Sequence, residues 1–160
     1  IERPDLKLIV VGTLGWDNDA VRHAFMPWLE RGAMFLLNAV PTRDLRTLYA
    51  HAAATVCPSY GEGFDYSGVE AMASGGVAIA SDLLVHREVY GDAALYFDPY
   101  STAALTDTLA RLLDDEDLGD RLRAQGAINA ARYRPKVILP QWQRFLERVV
   151  ETGRRGPSAR

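Results

Sequence analysis

Residues 58–76 read PSYGEGFDYSGVEAMASGG, and this stretch decides the fold class. It follows the short apolar run Ala54–Pro58, which favours a strand, and it contains a predicted short helix at Ser67–Ser74. Gly61 and Gly63 lie between the two elements. The segment therefore predicts a strand, a glycine-rich loop and a helix in succession, which is one βα unit with its loop at the carboxyl end of the strand.

The same alternation of strand and helix runs along most of the chain. Short apolar runs predict five strands, at Leu6–Gly12, Ala33–Val40, Ala54–Pro58, Val77–Ser81 and Ala94–Phe97. Helical patterns separate them, so the sequence predicts an α/β fold with a parallel sheet and helices on both faces. We expect one domain over residues 1–152 and a disordered tail over residues 153–160. The apolar run Leu6–Gly12 predicts a strand buried on both faces.

The composition of the chain argues against several classes of protein. The 160 residues carry a formal net charge of −3, without the basic excess of a dedicated nucleic-acid binder. No apolar stretch approaches the roughly 18 residues of a membrane span. Cys57 is the sole cysteine, which excludes an intrachain disulfide and fits a reducing compartment. A buried thiol at a strand end is the expected role of Cys57.

Glycine-rich loops of other nucleotide-binding proteins are absent from the sequence. The loop Gly12–Asp19 has two glycines but not the G-x-G-x-x-G pattern of dinucleotide-binding folds. No G-x-x-x-x-G-K-[ST] phosphate-binding loop occurs either. The loop within residues 58–76 is therefore the leading candidate for the functional site.

Two carboxylates flank the start of the helix in that loop. Glu70 follows Ser67 at the S-x-x-E spacing of a capping box, so its side chain could serve the helix backbone alone. Glu62 stands between two glycines without an obvious structural partner, and a solvated loop anion is its alternative reading. The free N–H groups of the helix start favour a phosphate. The residues alone leave both roles open.

The ordered set PSYGEGFDYSGVEAMASGGVAIASD and REVYGDAALYFDPYSTAALTDTLARLLDD closely resembles a known family. It is similar to the nucleotide-sugar-binding half of the retaining glycosyltransferases of family 4, also called group 1. The resemblance runs from Pro4 to about Tyr133, and its strongest element is the pair of glutamates Glu62 and Glu70 separated by seven residues. It implies a Rossmann-like domain, the C-terminal half of a GT-B transferase, lacking its first strand-helix unit.

The resemblance also implies a set of site residues. Glu62 would be the catalytic residue, at the hydroxyls of the donor sugar, and Glu70 would accept hydrogen bonds from the nucleotide ribose. Main-chain groups of Asn38 and Val40 would seat the nucleobase. The donor-binding residues would be Gly61, Glu62, Gly63, Phe64, Asp65, Tyr66, Ser67 and Glu70.

Two departures from the family pattern stand out. Asp65 occupies a position where the family usually has glycine, and an extra anion beside a diphosphate is unfavourable unless it points away or meets a donor hydroxyl. The family's diphosphate-binding arginine and lysine lie upstream of the segment matched here. We therefore expect the chain to be a fragment of a longer protein, and we expect this fragment to lack the arginine and the lysine.

The resemblance implies transfer of a sugar from a UDP- or GDP-sugar to a glycan or lipid-linked acceptor, in bacterial surface-polysaccharide or lipopolysaccharide assembly. It implies no cofactor and no metal ion, and an acceptor bound through a missing N-terminal domain. We expect no nucleic-acid partner, self-association through an open sheet edge, and a cytoplasmic protein at the inner face of the plasma membrane. The alternatives are a nucleotide-sugar epimerase of the same fold and a degenerate, non-catalytic module that binds a nucleotide sugar or a protein.

Overall fold

A computed structural model describes residue 3, residues 5–12 and residues 19–154. The chain divides into two compact units, Ile1–Leu48 and Tyr49–Arg160. The single domain expected over residues 1–152 stays a prediction. Residues 13–18 of the first glycine-containing loop, and residues 155–160 of the expected tail, lie outside the described residues.

The first unit contains a two-stranded parallel sheet. Strand β1 (Leu8–Val11) pairs with β2 (Met34–Leu37), and helix α1 (Asp19–Glu30) lies between them in the chain. Within the described residues β1 pairs with β2 alone. Its side chains Leu8, Ile9 and Val11 consequently stay 38–50% exposed, so the predicted burial of this strand on both faces is wrong.

The second unit is built on three parallel strands in the order β3-β4-β5. It begins within helix α2, and a 3₁₀ turn at Gly91–Ala93 precedes its last strand. Helix α2 (Thr42–His51) contains the boundary between the units. The elements after it are β3 (Thr55–Cys57), α3 (Tyr66–Ala73), β4 (Ala78–Ser81), α4 (Leu84–Tyr90), β5 (Ala94–Phe97), α5 (Thr102–Asp114), α6 (Glu116–Ala131) and α7 (Pro135–Arg154). Helix α7 continues two residues into the expected tail.

Helices cover both faces of this sheet because the side chains of the central strand alternate. Ala78 and Ala80 of β4 pack into one cluster, with Val69 and Met72 of α3 among its members. Ile79 of the same strand enters a second cluster, whose helical members are Leu112 of α5 and Leu118 and Leu122 of α6. Every residue of β4 is buried. The α/β class with a parallel sheet is therefore confirmed.

The closing glycines of residues 58–76 end helix α3. Gly75 has a φ of 87°, a left-handed conformation that glycine adopts without a steric penalty. The N–H of Gly76 then donates to the carbonyl oxygen of Ala71 at 2.8 Å. A Cβ at Gly76 would collide with the backbone oxygen of Tyr49. The pair Gly75-Gly76 thus allows the chain to turn sharply from α3 into β4.

Gly68 provides a test of this packing. A Cβ at Gly68 would collide with the ring and hydroxyl of the buried Tyr90, so Gly68→Ala should lower the free energy of unfolding by about 1–3 kcal/mol. The matched control is Gly119→Ala, also within a helix, where the nearest atom, 3.2 Å away, is the end of the flexible Arg123 side chain. The free energy of unfolding of this control should stay unchanged or rise by up to about 1 kcal/mol, because alanine has a higher helix propensity than glycine. Urea denaturation measures both, and equal stabilities of the two variants would contradict this packing.

Candidate functional site

The glycine-rich loop lies at the carboxyl end of β3 and leads directly into α3. Gly61, Glu62 and Gly63 are exposed. The hydroxyl of Ser59 donates a hydrogen bond of 2.7 Å to Oε1 of Glu62. Glu62 therefore has a local structural partner that the sequence pattern did not reveal, and its carboxylate is held at the surface of the loop.

Glu70 lies on α3 and does not form the capping box that its spacing allows. The N–H of Ser67 donates to Oδ1 of Asp65 at 2.9 Å, and Asp65 is the N-cap of the helix. The exposed carboxylate of Glu70 instead accepts a hydrogen bond of 3.5 Å from the hydroxyl of Tyr49. The capping-box alternative is therefore wrong, and α3 begins at Tyr66, one residue before the predicted start.

The side chain of Asp65 points into the protein. Asp65 is 7% exposed, and its Oδ2 lies 3.4 Å from Nε2 of the fully buried His86. Its backbone oxygen accepts a 3.0 Å hydrogen bond from the hydroxyl of Tyr90. The extra anion that departs from the family pattern is thus directed away from the exposed surface of the loop.

His86 is the buried residue whose importance the sequence did not indicate. Its Nδ1 lies 2.7 Å from the backbone oxygen of Ser81, at the end of β4. Its ring stacks on Tyr90 with 5.4 Å between centroids. No motif in the chain links a histidine of α4 to the start of α3, so only the fold reveals this contact.

Burial keeps the remaining titratable groups behind the loop neutral. Burial, and next the charge of Asp65, raises the pKa of the Cys57 thiol to about 12. Burial likewise raises the pKa of Tyr90, assisted by Cys57 and Asp65. Cys57 is 4% exposed, so the expectation of a buried strand-end thiol is confirmed and a thiolate nucleophile is disfavoured.

Aromatic side chains support the loop. Phe64 is half-buried and packs against Tyr66 and Tyr133, with ring centroids 4.8 and 5.3 Å away. A second pair, Tyr60 and Tyr100, joins the loops after β3 and β5 at 5.2 Å, and both rings are mostly exposed. This pair is not evident in the sequence, because Tyr60 and Tyr100 are 40 positions apart and follow β3 and β5, which flank β4 in the sheet.

The predicted nucleobase segment belongs to the first unit. Asn38 and Val40 follow β2, and Ala39 between them has a φ of 52°. A non-glycine residue in this left-handed region carries strain, which is commonest at functional sites. The main-chain role of Asn38 and Val40 stays a prediction.

In chemical terms, the second unit offers two exposed carboxylates, Glu62 and Glu70, on either side of a helix start. Carboxylates accept hydrogen bonds from hydroxyl groups, and backbone N–H groups at a helix start favour anions. Among the described residues no three His, Cys, Asp or Glu side chains cluster as metal ligands. No helix in the described part of the chain is long and apolar enough to cross a membrane.

Comparison with known proteins places these features in context. The family model of "Glycosyl transferases group 1" matches residues 1–129. The chain is 32% identical over 126 residues to O-antigen chain mannosyltransferase B of Escherichia coli, covering 79% of this chain and 33% of that protein. It is 29% identical over 130 residues to a Campylobacter jejuni enzyme, N,N'-diacetylbacillosaminyl-diphospho-undecaprenol alpha-1,3-N-acetylgalactosaminyltransferase, covering 80% and 34%. The chain thus spans about a third of the length of these relatives.

Solved structures share the fold. Sucrose-phosphate synthase from Thermosynechococcus elongatus superposes with a TM-score of 0.81 at 21% identity, over 91% of this chain and 39% of that one. Anabaena Alr3699/HepE in complex with UDP superposes with a TM-score of 0.80 at 19% identity, over 91% of this chain and 42% of that one. At these identities the likeness establishes the fold alone.

The raised pKa of Cys57 predicts a loss of stability at alkaline pH. An unfolded thiol loses its proton near pH 9.0, whereas the buried thiol keeps it to about pH 12. The stabilisation is therefore complete below pH 9 and decreases as pH rises toward 12, by up to about 1.4 kcal/mol per pH unit. Cys57→Ala should flatten the dependence of the unfolding free energy on pH between 9 and 10. If the unfolding free energies of the unmodified protein and of Cys57→Ala changed equally with pH, the folded state would not raise the pKa of this thiol.

Proposed function

The chain belongs to the group 1 glycosyltransferases, whose family model matches residues 1–129, and from that membership we propose that it binds the nucleotide-sugar donor of a retaining transferase. The donor would be a UDP- or GDP-linked sugar, and the acceptor a glycan or a lipid-linked glycan. The single observation that carries the proposal is the pair of exposed carboxylates, Glu62 and Glu70, flanking the start of α3.

We assign Glu62 to the sugar and Glu70 to the ribose of the donor. Each carboxylate has two acceptor oxygens, which suits a pair of adjacent hydroxyl groups. Hydrogen bonds to a charged acceptor are roughly twice as strong as neutral ones. The bond from Ser59 to Glu62 supports this assignment, because it fixes the carboxylate before the sugar binds.

The diphosphate would lie against the loop backbone and the start of α3. Asp65 already occupies the N–H of Ser67, so that donor is not free for a phosphate. We therefore propose that the N–H groups of Gly63 and Phe64 donate most of the hydrogen bonds to the diphosphate. Glycine at positions 61 and 63 leaves the loop backbone uncovered by side-chain atoms, and the space where each Cβ would stand is open to a ligand.

The proposed reaction exchanges one bond at the anomeric carbon for another. The bond from that carbon to the β-phosphate oxygen breaks, and the nucleoside diphosphate leaves with the electron pair. An acceptor hydroxyl oxygen forms the new bond on the same face and gives its proton to a phosphate oxygen of the leaving nucleoside diphosphate. Backbone N–H groups stabilise the charge that develops on the leaving diphosphate.

Biological context is proposed from the relatives. Their names include an O-antigen chain mannosyltransferase and a transferase acting on a diphospho-undecaprenol glycan. We accordingly propose bacterial surface-polysaccharide assembly at the cytoplasmic face of the membrane, and self-association through an open sheet edge. Both names denote transferases, which favours transfer over the epimerase and the non-catalytic alternatives.

Carboxylate removal separates the two proposed roles. In the full-length protein, Glu70→Ala should weaken binding of both UDP (or GDP) and the intact nucleotide sugar by about 10- to 150-fold, the value of about 1.5–3 kcal/mol for a bond to a charged group. Glu62→Ala should weaken binding of the nucleotide sugar by a similar factor while leaving the affinity for the free nucleotide unchanged. Isothermal titration calorimetry measures these affinities.

The control for this experiment is Asp107→Ala, which removes an exposed carboxylate from α5. Its affinities and turnover should match those of the unmodified protein. A folded protein that binds neither UDP- nor GDP-sugars would overturn the proposed function. Unchanged binding in both glutamate variants would overturn the site assignment.

A further inference from the structure

Asp65 and His86 form a buried contact between two elements at the carboxyl edge of the sheet. Asp65 precedes α3 and is 7% exposed, whereas His86 lies on α4 and is fully buried. Through this contact the end of β4 is connected to the start of α3. The connection runs from the Ser81 backbone oxygen to the His86 ring, then to the Asp65 carboxylate and the Ser67 N–H.

The geometry restricts where protons lie on the His86 ring. A backbone carbonyl only accepts hydrogen bonds, so the 2.7 Å contact from Nδ1 to the Ser81 oxygen requires a proton on Nδ1. Nε2 has no partner in hydrogen-bonding geometry among the described residues, and Oδ2 of Asp65 lies 3.4 Å from it. Without a second proton, a nitrogen lone pair would face a carboxylate oxygen in a buried site, which is repulsive.

Other groups around the contact do not supply that proton or a compensating charge. Cys57 approaches from β3 and Tyr90 from α4, and both stay neutral at physiological pH because burial raises the pKa of each. The Tyr90 hydroxyl is already donated to the Asp65 backbone oxygen. Glu62, whose charge acts on Cys57, is itself an anion. The contact between Asp65 and His86 is therefore favourable only when it holds a proton of its own.

We propose that Asp65 and His86 share one proton between Oδ2 and Nε2, and that this pair positions the amino end of α3 and the preceding loop for binding of the donor. The inference rests on the proposed function for its consequence, and on the geometry alone for the proton. His86 is in this account a positioning residue, since it contacts Asp65 rather than the ligand. Losing the contact should raise KM for the nucleotide sugar while changing kcat less.

Two substitutions at position 86 separate positioning from simple packing. The amide of His86→Asn can still donate to the Ser81 oxygen but does not reach Asp65, so KM for the donor should rise about tenfold. The longer amide of His86→Gln returns an N–H donor toward Asp65 and should recover most of that loss. The control Asp115→Ala removes the corresponding aspartate cap from α6, where Oδ1 accepts from the Leu118 N–H. It should lower the melting temperature without changing KM.

The proton is tested directly by nitrogen-15 NMR of the histidine rings in the full-length protein. His86 should show a one-bond coupled N–H at both Nδ1 and Nε2, and the Nε2–H signal should disappear in Asp65→Asn. In Asp65→Asn the amide can donate to Nε2, so the ring should carry a proton on Nδ1 alone with Nε2 shifted as a hydrogen-bond acceptor.

The outcomes distinguish the two proposals. Identical KM in His86→Asn, His86→Gln and the unmodified enzyme would overturn the positioning role even if transfer activity is confirmed. An Nε2 resonance with the shift of a free lone pair, unaffected by Asp65→Asn, would overturn the shared proton. Failure to bind any nucleotide sugar, with the NMR signature present, would refute the donor role of the loop but leave the proton assignment standing.

Discussion

The inward-pointing carboxylate of Asp65 determines the geometry of the loop between β3 and α3. It caps the helix at the Ser67 N–H and lies against His86 of α4. The backbone oxygen of the same residue accepts the Tyr90 hydroxyl. Because Gly68 lacks a side chain, the Tyr90 ring can lie directly against the first turn of α3. One residue therefore fixes where the loop ends and where the helix begins.

This arrangement separates the buried carboxyl group from the exposed ones. Asp65 accepts a hydrogen bond from a helix N–H group and lies beside the His86 ring, whereas Glu62 and Glu70 remain open to solvent. The fully buried strand β4 and the alanines on one of its faces give α3 a close-packed base. A rigid scaffold of this kind allows an exposed loop to hold its carboxylates in fixed positions, as recognition of a sugar hydroxyl requires.

Local signals in the sequence predicted much of the second unit. Strand β5 has the predicted bounds Ala94–Phe97, and Ser101, a residue type that favours N-caps, caps α5 with its hydroxyl accepting from the Ala104 N–H. The capping-box alternative for α3 failed because Asp65 and Ser67 both suit an N-cap, and the S-x-x-E spacing favours Ser67. The choice is made by His86 and Tyr90, contacts from α4 that a local pattern does not contain. Burial of β1 failed for a related reason, since it depends on neighbours rather than on the strand's own apolar residues.

A crystal structure of the full-length protein with an intact nucleotide sugar is the most direct test of the donor site. We expect sugar hydroxyls on Glu62, ribose hydroxyls on Glu70 and phosphate oxygens on the loop backbone. The Asp65 carboxylate should remain on the Ser67 N–H and beside His86. An Asp65 side chain rotated outward to contact the ligand, or a donor bound away from this loop, would contradict the assignment.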